Sequence, residues 1–66
     1  RDVQIVLAFA KNNMRIYSTA QELFFHRNTI TYHLDKVHRA TGLNPFKFYD
    51  LVELVLGIKK EVNVGD

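Results

Sequence analysis

Leu23-Phe24-Phe25-His26-Arg27-Asn28-Thr29-Ile30-Thr31-Tyr32-His33-Leu34-Asp35-Lys36-Val37 is the stretch whose reading decides the fold. Ile30, Leu34, Val37 and Thr41 recur at spacings of 4, 3 and 4, which is one face of an α-helix. Upstream, Ile16, Ala20 and Leu23 repeat at 4 and 3, flanked by Thr19 and Phe24. The two rows are out of register. A straight helix through both would rotate Ile30 partly away from the face of Ala20 and Leu23. The pattern therefore predicts a helix of about two turns over 17–24, a tight turn at Phe25-His26 and a longer helix over 27–40. His26 or Asn28 stands at the start of the longer helix, and Thr29 is a further capping candidate. Thr41-Gly42 closes it, with glycine where a positive φ is needed.

Outward from this pair, Val3, Val6, Leu7 and Ala10 share one helical face, which Ile5 and Phe9 widen. Asp2 lies in the first turn, where the helix dipole favours negative charge, and Lys11 in the last. Asn12-Asn13 reads as the stop, because asparagine tolerates the left-handed conformation. A helix over 2–12 follows. Downstream, Leu43-Asn44-Pro45 is the clearest punctuation. Asn44 starts a turn or caps, and Pro45 suits a first helical turn. Phe48, Leu51, Val52, Val55 and Ile58 then form an apolar stripe opposite Tyr49, Asp50, Glu53, Gly57 and Lys60, which predicts a helix over 47–60. Residues 61–66 lack periodicity and are expected to form a frayed tail beyond a domain spanning 1–60. The fold expected is a small all-α domain of four helices.

Sixty-six residues hold one domain. At 47% apolar and 24% charged, the chain is of globular composition. Without cysteine it has no disulfide framework, thiol nucleophile or Cys-based zinc site. No apolar run approaches the roughly 18–20 residues that span a bilayer, so no membrane partner is expected. Nor does any N-terminal stretch read as a signal peptide. The formal charge of +2 permits nucleic-acid binding without demonstrating it. A core this small rarely supports a water-excluding catalytic pocket, so a binding module is favoured over an enzyme. The start at Arg1 rather than methionine suggests a domain excised from a longer protein.

A short helix, a tight turn and a longer helix make a helix-turn-helix unit, whose second helix can enter a major groove. That role needs an apolar inner face, supplied by Ile30, Leu34 and Val37. It also needs donors on the outer face near the helix start, supplied by Arg27, Asn28, Thr31 and Tyr32, with His26 just before. Arginine pairs bidentately with guanine and asparagine with adenine, whereas threonine and tyrosine hydroxyls suit phosphate oxygens. Tyr17, Ser18 and Gln21 lie near the start of the preceding helix, where backbone amides also meet phosphate. Periodicity alone does not separate this reading from a plain helical interaction module. Arg27 could be solvated, Asn28 and Thr29 could serve as caps, and Tyr32 could pack its ring on the preceding helix while its hydroxyl reaches out.

The same run, followed by Thr41-Gly42-Leu43-Asn44-Pro45, closely resembles the C-terminal helix-turn-helix domain of PucR/CdaR-type bacterial transcriptional regulators. That family carries a pattern like Leu-Phe-Val-His-Arg-Asn-Thr-Leu-x-Tyr-Arg-Leu-x-x-Ile, then Thr-Gly-Leu-Asp. Asn12-Asn13, Thr19-Ala20, Asp50-Leu51 and Leu54-Val55-Leu56 fit its flanking segments, so the resemblance covers about residues 3–60. His26, Arg27, Asn28 and Thr29 match the signature at the mouth of the recognition helix, and Tyr32 matches its tyrosine. Thr31 and His33 stand where members often have arginine. Losing those two charges should weaken phosphate attraction and flatten its salt dependence, although a protonated His33 would recover some charge. The resemblance implies a cytoplasmic, nucleoid-associated regulator, often an activator, that binds operator or promoter DNA as a homodimer. An upstream domain of the same chain would sense a metabolite such as a sugar diacid or a purine-derived compound. His26, Arg27 and Asn28 are the residues expected to read bases.

The three histidines, His26, His33 and His38, are 7 and 5 residues apart, which does not match the i, i+3 or i, i+4 spacing of a helical metal pair. Neither a metal nor another cofactor is expected. Ser18 lacks a nucleophile motif, and Asp35 and Asp50 sit where solvated helix charges sit, so no catalytic residue is assigned. The alternative function is a protein-interaction or dimerisation module that uses the apolar face of the last helix, with Phe46 and Tyr49, to pack on a second protomer or an upstream domain.

Overall fold

Asp2–Lys11 (α1), Ile16–Leu23 (α2), Arg27–Thr41 (α3) and Phe48–Asn63 (α4) are the helices of the computed structural model. It describes the main chain of residues 1–63 and the side chains through Glu61. There is no strand among the described residues, and the all-α, four-helix expectation holds. Three of the four helices begin and end within one residue of the spans read from periodicity. The exception is α4, which continues as helix to Asn63. Residues 61–63 are therefore helical rather than part of a tail, and 64–66 lie outside the described residues.

Helix α1 packs against each of the other three, and α2 packs against α3. The core is Ile5, Val6, Phe9, Ala20, Ile30, Leu34, Val37 and Leu51. The face of α1 differs from its expected centre. Ile5 and Phe9, read from periodicity as the margin of the stripe, are fully buried, whereas Val3 is half exposed. A helix with neighbours on three sides buries a wide arc, and the middle of that arc falls on the Ile5–Phe9 row. Asn12 caps α1, and the turn carries two successive left-handed residues, Asn13 (φ 58°) and Met14 (φ 63°). The Asn12 side-chain amide donates to Ala8 O (2.7 Å) and Glu22 Oε1 (3.0 Å), joining the end of α1 to α2.

Within α2 the one buried polar side chain among the described residues, Thr19, donates from Oγ1 to the carbonyl of Arg15 at 2.6 Å. Burial of that hydroxyl therefore leaves no donor unsatisfied. The turn to α3 begins one residue before the expected place. Phe24 leaves the helix in the left-handed conformation (φ 59°, ψ 38°), with its side chain 94% exposed. Left-handed backbone costs a residue with a Cβ roughly 1–2 kcal/mol, and an exposed ring recovers little of it by burial. Phe24→Gly is therefore expected to raise stability by about 0.5–1 kcal/mol, after the extra freedom of glycine in the unfolded chain is set against the relieved strain. Chemical denaturation of the two proteins reads the difference. A loss of stability would mean that the ring holds the turn together.

The closing signals of α3 behave as read. Gly42 is left-handed (φ 79°) and its amide donates to His38 O at 2.8 Å. The next connection differs. Pro45 is fully buried in a turn before α4 instead of in its first helical turn. Asn44 organises that turn. Its Oδ1 accepts from the amide of Phe46 (3.0 Å), and its own amide donates to Asp50 Oδ2 (2.9 Å). In α4 the buried row runs through Leu51, with Leu54, Val55 and Ile58 half-buried against the core. Phe48 and Val52, expected in the buried stripe, are exposed, as is Leu56. Because α4 packs chiefly on α1, one side of its apolar arc has no cover among the described residues.

The start of α1 is tied to α3 by charge. Ionised Asp2 is an acceptor only, so His33 Nδ1–H donates to Asp2 Oδ1 (2.6 Å), and Lys36 Nζ lies 3.6 Å from Oδ2. Burial pushes the Asp2 carboxyl up, but the His33 hydrogen bond and the charge on Lys36 outweigh it, leaving Asp2 below the usual carboxylate range. The unfolded chain therefore binds this proton more readily than the folded one. The contribution of Asp2 to stability is present above about pH 4 and is lost as pH falls through its depressed value. Acid titration of the unfolding midpoint should show that loss, and Asp2→Asn should remove it. Identical acid limbs for the two proteins would count against the coupling.

Candidate nucleic-acid interface

The unit α2–turn–α3 presents two helix starts, at Ile16 and Arg27, with their positive dipole ends. On α3 the division of faces is sharp. Ile30, Leu34 and Val37 are buried, whereas Arg27, Asn28, Thr31, Tyr32, Asp35, Lys36 and Arg39 are exposed. The start of α3 is held by His26, whose Nδ1 accepts from the amide of Asn28 at 3.0 Å. That cap settles a question the sequence left open. Asn28 and Thr29 lie inside the first turn and neither is the cap. Accepting at Nδ1 leaves Nε2 as the hydrogen-bearing nitrogen of the neutral ring, and His26 is exposed.

Arg27 is exposed and points back to α2. Its Nη1 donates to the Tyr17 hydroxyl, and its Cζ lies 5.3 Å from the centroid of the Tyr17 ring. Asn28 is exposed and Thr29 half-buried. The hydroxyl of Thr31 turns back on its own helix, donating to Asn28 O (3.1 Å). Tyr32 is 60% exposed, and its ring stands edge-on to His33 with centroids 5.2 Å apart. On α2, Tyr17 and Gln21 are exposed and Ser18 is half-buried. Tyr17, Gln21, His26 and Arg27, with Phe24, line one open depression across the turn, so four of the expected contact residues share a surface.

The electrostatics favour an anion at this surface. Among the described residues the ion pairs are Lys11–Glu22, Lys36–Asp2 and Arg39–Asp35, and none engages Arg27 or Arg15. Arg15, the exposed residue just before α2, was missed by the sequence reading, although a cation immediately before a helix start is a legible signal. Arg1 was also missed. Its guanidinium lies 5.3 Å from the Phe25 ring, a contact between chain positions too distant for local pattern to reveal. His33 is a correction of a different kind. Its side chain is 13% exposed and bonded to Asp2, so it lies between α1 and α3 instead of on the outer face where a charge could meet phosphate.

Among the described residues no three His, Asp or Glu side chains converge as a metal site. No described helix is long and apolar enough to cross a membrane.

Residues 3–59 match the family described as the PucR C-terminal helix-turn-helix domain. An uncharacterised protein of Haemophilus influenzae is 44% identical over 46 residues, 70% of this chain and 12% of that protein. The carbohydrate diacid regulator of Escherichia coli is 33% identical over 52 residues, 79% of this chain and 14% of that protein. The chain thus spans less than a sixth of the length of either relative. No solved structure matches it significantly.

Proposed function

The chain belongs to the PucR C-terminal helix-turn-helix family, and from that premise we propose that it reads duplex DNA with α3 in the major groove. The observation that carries the proposal is the division of α3. Its inner face is locked on the core, while Arg27, Asn28, Thr31 and Tyr32 stand outward at its N-terminal end. In this reading His26, Arg27 and Asn28 meet base edges. His26 offers Nε2–H, Arg27 a guanidinium fork for guanine, and Asn28 an amide for adenine. Thr29, Thr31 and Tyr32, with Ser18 and Gln21 on α2, lie on the side of the sugar–phosphate backbone and set the register, while Tyr17 lies on the same surface against the Arg27 guanidinium. Arg15 and the two helix N-termini add positive potential there.

The intact protein acts as a transcriptional regulator, in this proposal an activator, and works in the cytoplasm at the nucleoid. It binds as a homodimer, because one small module buries only roughly 600–1,000 Å² on DNA and a paired half-site doubles the contact. An upstream domain of the same chain senses the effector. A sugar diacid is the first class to try, given the relative in Escherichia coli named as a carbohydrate diacid regulator. The domain itself performs no catalysis.

Genomic-fragment selection on the full-length protein, followed by binding of the enriched duplex at several salt concentrations, tests the reading. The expected result is a palindrome or direct repeat whose affinity falls steeply with added salt. No enrichment, or binding indifferent to salt, would overturn it. One observation favours a second reading, a helical interaction module. Phe48, Val52 and Leu56 leave an apolar row on α4 uncovered. Association that is insensitive to salt and abolished by Leu56→Asp, with no DNA enriched, would select that reading.

A further inference from the structure

The group best placed to read a base is already held before DNA arrives. Arg27 donates to the Tyr17 hydroxyl and stacks its guanidinium near the same ring. Tyr17 is in the first turn of α2 and Arg27 opens α3, so this contact joins the two helix starts across ten positions of sequence. Both side chains are exposed, so the contact does little for the core. No carboxylate among the described residues neutralises the guanidinium. A free arginine has many rotamers and must surrender them on binding. A guanidinium fixed in advance surrenders fewer, which raises affinity without any added contact. An uncharged partner fixes it without cancelling its charge.

We propose that Tyr17 is a positioning residue. It holds the Arg27 guanidinium over the DNA-facing surface, and its effect on binding is transmitted through Arg27. This rests on the reading of α3 as the DNA-reading helix. The competing role is direct donation to a phosphate, since a phenol that accepts from arginine still has its own O–H to give.

A double-mutant cycle on the full-length protein separates the two roles. The four proteins are wild type, Tyr17→Phe, Arg27→Ala and the double variant, and the probe is the duplex enriched by genomic-fragment selection. Tyr17→Phe keeps the ring and the cation–π contact and removes only the hydroxyl. It is expected to weaken binding by about three- to tenfold, leaving the thermal midpoint and the salt slope unchanged, because no charge is lost. In the Arg27→Ala background the same change should have no effect within about twofold. An equal loss in both backgrounds would assign Tyr17 to a phosphate and overturn the proposal. Wild-type affinity in Tyr17→Phe would also overturn it. If the wild-type protein enriches no duplex, the DNA reading itself fails and the positioning role falls with it, an outcome distinct from the other two.

Discussion

Arg27→Ala is expected to weaken specific DNA binding by about 1–3 kcal/mol, roughly five- to over a hundredfold, while leaving the fold intact. The two halves of that expectation have separate causes. Arg27 is exposed at the first position of α3, so its removal opens no cavity. Its side-chain partner, Tyr17, is also largely in water, so losing the contact leaves no buried group unsatisfied. The loss in binding arises because a guanidinium offers a planar fork that alanine cannot replace and that lysine replaces only as a point charge. Two patterns distinguish its partner on DNA. If Arg27 reads a base, the variant should lose discrimination at one position of the site. If it neutralises a phosphate, the variant should weaken all sequences about equally and lower the salt slope by roughly one. Unchanged affinity and unchanged specificity would remove Arg27 from the interface.

What could be read from the sequence, and what could not, follows from the range of the forces involved. Helix existence and the faces of α2 and α3 were legible because a helix repeats its burial every three or four residues, and Ala20, Ile30, Leu34 and Val37 sit on that repeat. Gly42 was legible because glycine adopts positive φ at no steric cost. Phe24 was not, because nothing in a phenylalanine announces a left-handed residue. Its conformation is imposed by the need to dock α3 across α2. The outer face of α3 was legible as a set of residue types, but not in its connections. Tyr17 with Arg27, and Asp2 with His33, meet across 10 and 31 positions, beyond any local pattern. His33 shows the consequence. By register it stood beside the DNA-facing group, yet the partner on α1 decides where its ring points. The buried side of α4 was misjudged for a related reason. Periodicity gives the width of an apolar arc, whereas the neighbours decide how much of it is covered.

Leu34→Ala is expected to destabilise the domain by about 2–5 kcal/mol. Leu34 is fully buried, in the same cluster as Ile5, Val6, Phe9 and Ile30. Truncation removes its transfer free energy and leaves a cavity that these neighbours can fill only in part. The size of the domain makes the effect severe. A single core of this length rarely supplies more than about 3–5 kcal/mol of net stability, so the upper half of the expected range would unfold the chain at ordinary temperature. Leu34 is buried about two turns along α3 from Arg27, which is exposed at the helix start, so the two substitutions should fail in different ways. Arg27→Ala should keep its helical circular dichroism and cooperative melt while losing DNA. Leu34→Ala should lose DNA only to the extent that it is unfolded, and binding that stabilises the folded state should restore part of the melt when duplex is added. A thermal midpoint close to wild type for Leu34→Ala would mean that α3 is rotated from the orientation described. The outward placement of Arg27, Asn28, Thr31 and Tyr32 would then be lost with it, because a helix buried on the wrong face presents the wrong face to DNA.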